Sequence, residues 1–146
     1  MHGLDGESLK VSAKFLTNLN KTSEASKSYN CIAWAAGDSA RFWWPIGGFW
    51  PSNVSRKLVI DSFIDAFATL GYMECGNGDL ESGYEKVAIY EKNCVPKHAA
   101  RQLPNANWTS KLGRNIDIEH TLEELDKIQY ISDRYGQVTR FMKRKI

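Results

Sequence analysis

The sequence lacks most of the features that would place it in a specialised class of protein. Its 146 residues contain no apolar run long enough to span a bilayer and no positively charged start followed by an apolar segment. Neither membrane insertion nor secretion is therefore encoded. The three cysteines have no C-x-x-C spacing, which argues against a disulfide framework and against structural zinc. We expect a cytoplasmic protein that needs no metal or cofactor, although delivery by a route without a signal peptide stays open.

The charge balance gives no sign of a polyanionic partner. Nineteen basic and 17 acidic residues leave a formal net charge of +2, so neither nucleic acid nor an anionic membrane is demanded. The basic stretch at 140–146 is expected to be the solvated end of a strand. The length suits a single ordinary domain, and composition predicts a polar N-terminal extension over 1–28 followed by one domain over 29–146.

Hydrophobic periodicity predicts helices first and an antiparallel sheet second. A short helix is expected at 31–36, an aromatic loop at 41–51, and an amphipathic helix at 55–70. Another short helix is expected near 118–125. Period-two patterns and turn residues predict strands over 72–75, 84–90, 97–103, 107–112 and 137–143. This order is an α+β pattern.

Cys31 is the leading candidate for a reactive side chain. Asn30, a residue type that commonly caps helices, precedes it. A cysteine in the first turn of a helix lies among unpaired backbone N–H groups, which stabilise the thiolate. His98, on a strand far downstream, would be its base. The alternative is that Cys31 is a packed thiol and His98 a core histidine.

The arrangement resembles papain-like enzymes and, more closely, the small NlpC-type cell-wall peptidases. Their pattern is a polar residue before a helix-capping cysteine, then a strand with histidine and small apolar residues, then a hairpin that returns a third polar residue. Asn30-Cys31 and His98-Ala99-Ala100 match the first two parts. The resemblance implies a papain-like α+β fold, with N-terminal helices packed on an antiparallel sheet, and cysteine-hydrolase chemistry.

In that family the third polar position carries histidine, asparagine or glutamine, and here it falls on Ser110. A serine hydroxyl orients an imidazole less firmly than a carboxylate or an amide does. Asp117 and His120 are the alternative orienting residues.

The chain also resembles an uncharacterised bacterial family through four sequence blocks. These are Asn-Cys-x-Ala-Trp-Ala at 30–35, His-Ala-Ala-Arg-Gln at 98–102, Trp-Thr-Ser-Lys-Leu-Gly at 108–113 and Ile-Glu-His at 118–120. The resemblance covers 29–143 and implies a papain-like fold, but it carries no substrate.

Several residues near the candidate nucleophile in sequence could contact a substrate. Asn30 or Tyr29 is the nearest second donor for an oxyanion, beside the backbone N–H of the nucleophile. Arg101, Arg41 and Lys111 could bind a substrate carboxylate, and Trp34 and Trp44 could line a hydrophobic wall. Core packing explains the tryptophans, and solvated strand faces explain the basic residues nearly as well.

The function expected from these observations is that of a thiol hydrolase or acyltransferase. It would act on an amide, isopeptide or ester bond of a protein or peptide-like substrate, with Cys31 as nucleophile and His98 as base. Two alternatives remain open. One is a catalytically inactive module that binds a partner through its aromatic loop and basic strand, and the other is a delivered effector or toxin.

Overall fold

A single antiparallel sheet of seven strands forms most of the structure. The structure is a computed structural model that describes residues 20–23, 29–112, 117–126 and 129–146. The strands are β1 (Asn20–Ser23), β2 (Met73–Cys75), β3 (Tyr84–Lys92), β4 (Val95–Gln102), β5 (Trp108–Lys111), β6 (Asp117–His120) and β7 (Gln137–Lys145). Their order across the sheet is β1-β6-β5-β4-β3-β7-β2.

The described residues also form four short helices. They are α1 (Cys31–Ala35), α2 (Ile60–Ala68), α3 (Leu122–Asp126) and α4 (Gln129–Tyr135). The prediction of a papain-like core, with N-terminal helices packed on a sheet, is therefore wrong. The sheet dominates, the longest helix has nine residues, and α3 and α4 lie between the last two strands of the chain. None of these helices has both the length and the apolarity needed to cross a membrane.

Two segments that form strands of the sheet were predicted from the sequence to have other structures. β1 lies in the predicted N-terminal extension and pairs with β6, so the sheet begins before residue 29. The helix predicted near 118–125 begins only at Leu122. The backbone N–H of Glu124 donates to Thr121 Oγ1 at 3.0 Å, and the N–H of Thr121 donates to Glu124 Oε1 at 2.7 Å. This reciprocal capping box fixes the start of α3 and leaves the preceding residues to pair with β5.

Both faces of the sheet carry an apolar layer, because side chains alternate along each strand. On the face covered by α1 and α2, here called the α1 face, the buried side chains include Ile32, Phe63, Phe67, Val87, Ile89, Ala99 and Met142. The opposite face, here called the α4 face, buries Ala88, Tyr90, Ala100, Trp108, Leu112, Ile118 and Tyr135. Each buried residue of a central strand therefore belongs to one layer or the other.

The aromatic loop before α2 belongs mainly to the core of the α1 face. Trp43 and Trp50 are buried, and the Trp50 ring lies 5.0 Å, centroid to centroid, from Phe63. Phe42 and Ile46 remain 41% and 62% exposed. The loop is thus a packed element with two exposed apolar side chains.

The basic C-terminal strand is largely neutralised by acidic neighbours. The ion pairs are Arg140 with Glu74 at 3.4 Å, Lys143 with Glu81 at 2.8 Å and Arg144 with Glu85 at 2.8 Å. Such partly exposed pairs add little stability, but they reduce the positive potential that a phosphate backbone would need.

Gly136 connects α4 to β7 in a conformation that other residues rarely adopt. Its φ is +74°, and a Cβ at this position would overlap the carbonyl oxygen of Glu91. We expect Gly136→Ala to lower the free energy of unfolding by about 2–4 kcal/mol. Gly76→Ala is the matched control, since nothing lies within 4 Å of its Cβ, and should change stability by less than about 0.5 kcal/mol. Equal urea midpoints for the two variants would contradict this account.

Candidate functional site

Asn30 fixes the start of α1. Its Oδ1 accepts hydrogen bonds from the backbone N–H groups of Ala33 and Trp43, at 3.1 and 3.0 Å, and its Nδ2 donates to the Trp43 carbonyl at 2.6 Å. The side chain both caps the helix and ties it to the aromatic loop. Asn30 therefore holds the next residue, Cys31, in place, and its polar atoms are already engaged within the protein.

Cys31 is a buried, un-ionised thiol. Its side chain packs against β4, where Sγ lies 3.8 Å from the Lys97 carbonyl oxygen, and the residue is 4% exposed. Burial raises the pKa of the thiol to about 11, although hydrogen bonds from the backbone N–H groups of Ala99 and Ile32 partly oppose this effect. The lowered pKa expected at a helix start is not found, because desolvation outweighs the backbone N–H groups of this five-residue helix.

His98 lies on the α4 face of the sheet. Its ring stacks on Tyr135 at 4.2 Å between centroids and meets Tyr90 edge-on at 5.1 Å. Ala99, the next residue of β4, belongs to the core of the α1 face together with Cys31. Adjacent residues of a strand point to opposite faces, so the structure does not bring Cys31 and His98 together. His98 Nδ1 has no hydrogen-bond partner within the described part of the chain.

Ser110 links two buried histidines. Its hydroxyl oxygen lies 3.0 Å from His98 Nε2 and 2.7 Å from His120 Nε2, while His120 Nδ1 lies 2.7 Å from the Thr121 carbonyl oxygen. A carbonyl only accepts, so neutral His120 carries its proton on Nδ1 and accepts at Nε2 from the Ser110 hydroxyl. Ser110 Oγ then accepts from the Nε2–H of His98. Of the three residues predicted to orient the base, Ser110 contacts His98 directly and His120 reaches it only through Ser110. Asp117, the third, pairs with Lys111 of β5 and lies on the opposite face of the sheet from His98.

A different set of polar groups surrounds Cys31. Lys111, fully buried on β5, has its Nζ 4.7 Å from the ring centroid of Tyr29. The Tyr29 hydroxyl donates to Asp117 Oδ2 at 2.6 Å. Burial lowers the pKa of Lys111, and the negative charges of the Asp117 carboxylate and the Cys31 thiolate oppose this effect. Tyr29, Cys31, Lys111 and Asp117 form what we call the thiol–lysine cluster.

Two half-buried side chains border this cluster. The Trp34 ring stacks on Tyr29 at 5.4 Å, and its Nε1 donates to Thr109 Oγ1 at 3.0 Å. Arg101 lies over the Trp34 ring, with Cζ 5.5 Å from the centroid. Of the predicted substrate-contacting residues, Tyr29, Trp34 and Arg101 are thus grouped near the thiol.

Trp44, which was predicted to line the same wall, packs edge-on against Phe63 of α2 at 5.7 Å between centroids. Within the described ranges, no three histidine, cysteine, aspartate or glutamate side chains are grouped as a metal site would require.

Sequence reasoning named Lys111 only as a residue that could bind a substrate carboxylate, and did not identify it as a base for the thiol. The signal was present in Trp-Thr-Ser-Lys at 108–111, because period-two alternation places Ser110 and Lys111 on opposite faces of β5. The face of the sheet that α1 covers therefore carries either Ser110 or Lys111, but not both. What the sequence did not reveal was which face that is.

Comparison with known families and structures gives one match. A family model described as a domain of unknown function (DUF7689) matches residues 20–143, a range that runs from the start of β1 into β7. No characterised protein and no solved structure shows detectable similarity to the chain. The match confirms the expectation of a family of unknown function.

His98 should make stability depend on pH. Burial lowers its pKa to about 3 in the folded protein, from 6.5 for a free histidine. The unfolded chain therefore binds one more proton between these values, and stability falls as pH falls below about 6.5, by about 1.4 kcal/mol per pH unit. His98→Phe retains a ring on Tyr135 but cannot be protonated. Urea unfolding between pH 6.5 and 5 should show a shallower pH dependence for this variant; parallel curves would refute the assignment.

Cys31 should resist alkylation. Iodoacetamide reacts with the thiolate, so Cys31 should react far more slowly at pH 7.5 than the exposed Cys94, and its pH profile should have a midpoint near 11. Peptide mass spectrometry after timed labelling measures both rates in the same sample. Labelling of Cys31 at the rate of Cys94 would show that the thiol is neither buried nor un-ionised.

Proposed function

We propose that this chain, which belongs to the DUF7689 family of domains of unknown function, is a thiol hydrolase or acyltransferase in which Lys111, rather than His98, is the base for Cys31. The observation that supports this proposal is the fully buried side chain of Lys111, which lies close enough to Cys31 for their charges to interact. Lysine is seldom fully buried. A desolvated lysine with a lowered pKa is typical of general bases.

A lysine base accounts for a nucleophile that is un-ionised at rest. The thiol need not be ionised beforehand if a neutral amine removes its proton during the attack, as lysine does for serine in serine–lysine enzymes. The high pKa of Cys31 then protects the resting sulfur from oxidation and alkylation, which also proceed through the thiolate. Activity would depend on the neutral fraction of Lys111.

The proposed reaction has two symmetrical halves. Sγ of Cys31 attacks the substrate carbonyl carbon, and its proton passes to neutral Nζ of Lys111 as the C–S bond forms. The tetrahedral intermediate expels the alcohol or amine, which takes that proton from Lys111, and a thioester remains on Cys31. Water or an acceptor amine then attacks the thioester carbonyl and gives a proton to Lys111. The departing Cys31 sulfur finally recovers this proton, which restores the thiol.

Asp117 and Tyr29 position the base in this proposal. The Asp117 carboxylate raises the pKa of Lys111 against the effect of burial and stabilises the ammonium ion that forms after proton transfer. The hydrogen bond from the Tyr29 hydroxyl, at 2.6 Å, holds that carboxylate. The backbone N–H groups of Ala99, Ile32 and Cys31 itself, which lie near the sulfur, would be the donors for the oxyanion. The substrate class remains an amide, isopeptide or ester of a protein or peptide-like molecule.

A second candidate function is that of a catalytically inactive binding module. The burial of Cys31 favours this alternative. Cys31 is 4% exposed and its thiol is un-ionised. Under this alternative, Lys111 and Asp117 would only stabilise the fold. The exposed Phe42 and Ile46 of the aromatic loop would then be the apolar contacts available to a partner.

Acylation of Cys31 by 4-nitrophenyl acetate distinguishes the two candidates. We expect nitrophenolate release and an acetyl group on Cys31, detected by peptide mass spectrometry in a Cys75→Ser, Cys94→Ser background. Lys111→Met should slow acylation by roughly 100-fold or more. The rate in the unsubstituted site should rise with pH through the pKa of Lys111, which burial holds below its usual 10.5.

Lys86→Met is the matched control, because Lys86 is also buried but is bound to Asn77 and Glu81. It should leave the acylation rate unchanged. Urea unfolding of both methionine variants checks that neither has lost the fold. If acetate never reaches Cys31, or if the two variants acylate equally fast, the enzymatic proposal fails and the binding module becomes the better account.

A further inference from the structure

Arg101 lies one helical turn from the thiol on the same face of the sheet. Trp34, three residues after Cys31 in α1, accepts a hydrogen bond from Arg101 Nε at its carbonyl oxygen, at 3.4 Å. One turn of α-helix rises about 5.4 Å. A group bound by Arg101 would therefore be several bonds away from a carbonyl carbon held at the sulfur.

The Arg101 guanidinium is available for binding. Within the ranges that the structure describes, Nε makes its one hydrogen bond, and that bond is long. The carboxylate of Glu85, on neighbouring β3, is already bound by Arg144 at 2.8 Å and by the Tyr72 hydroxyl at 3.0 Å. Both Nη groups of Arg101 can therefore donate to another carboxylate, in the paired geometry that arginine favours.

The charges around this position favour an anion. Lys97, two residues before Ala99 on β4, is exposed, and Lys111 is buried on neighbouring β5. The carboxylate of the thiol–lysine cluster, Asp117, is engaged by the Tyr29 hydroxyl. The other acids on this face are engaged as well, Glu85 by Arg144 and Tyr72, and Glu119 by Asn105 and Asn107. The half-buried Trp34 ring offers an apolar surface between Arg101 and Tyr29.

We propose that Arg101 and Trp34 form a subsite for a carboxylate on the acyl side of the substrate, several bonds from the carbonyl that Cys31 attacks. This inference rests on the proposed function. Arg101 binds the carboxylate through its Nη groups, and the Trp34 ring covers the intervening methylene groups. The preferred substrate is thus a dicarboxylic acyl group, such as a glutaryl or glutamyl unit, rather than a neutral one.

Two esters of equal length test the subsite. Mono-4-nitrophenyl glutarate carries a free carboxylate, and 4-nitrophenyl methyl glutarate is its neutral counterpart with the same leaving group. We expect Cys31 to be acylated at least tenfold faster by the anionic ester at low ester concentration. Arg101→Gln should remove this preference, so that the ratio of the two acylation rates falls to about one, and Arg101→Lys should keep part of it.

Arg41→Gln is the matched control, because Arg41 is an exposed arginine of the aromatic loop paired with Asp38 at 2.9 Å. It should leave the preference intact. Equal acylation by both esters would overturn the subsite and leave the proposed function standing.

If neither ester acylates Cys31, the proposed function fails, and titration with glutarate then tests the subsite by NMR. A shift of the Trp34 Nε1–H signal that disappears in Arg101→Gln would support a carboxylate site. The absence of any shift would overturn it.

Discussion

The alternation of side chains across β4 and β5 determines the chemistry of the whole molecule. Because the sheet is covered on both faces, each buried residue of these strands belongs either to the layer under α1 or to the layer under α4. Lys111 lies in the first layer with the thiol, whereas His98 and Ser110 lie in the second. A shift of one residue in either strand would exchange these sets. The register of the sheet therefore decides which titratable side chains share a layer with the thiol.

Burial then determines the protonation states of the titratable residues in each layer. Desolvation disfavours every charged form, and here it raises the pKa of Cys31, lowers that of His98 and lowers that of Lys111. The histidines respond by staying neutral within a chain of hydrogen bonds. Lys111 differs from them because a carboxylate, Asp117, lies nearby and favours its ammonium form. On the α1 face, burial thus disfavours the charged forms of both the thiol and the amine.

Local elements could be predicted from the sequence, but their arrangement could not. The period-two pattern at 84–90 corresponds to β3, and the apolar spacing at 55–70 contains α2. The grouping of Tyr29, Cys31, Trp34 and Arg101 follows from their shared face. The pairing of Cys31 with His98 failed because periodicity shows that residues alternate without showing which face a helix covers. The α+β core failed for a related reason, since β6 is specified by pairing with β5 rather than by its own residues.

The hydrogen-bond chain through Ser110 ends on a residue that has a second task. Thr121 accepts from His120 through its carbonyl and caps α3 through its hydroxyl and backbone N–H. Unwinding the first turn of α3 therefore disturbs the Thr121 carbonyl, the acceptor that fixes the tautomer of His120. This tautomer in turn fixes the direction of every hydrogen bond back to His98. Helix α3 and the central strands are coupled in this way. They should open together as one cooperative unit in hydrogen exchange, rather than as a fraying surface helix over a rigid sheet.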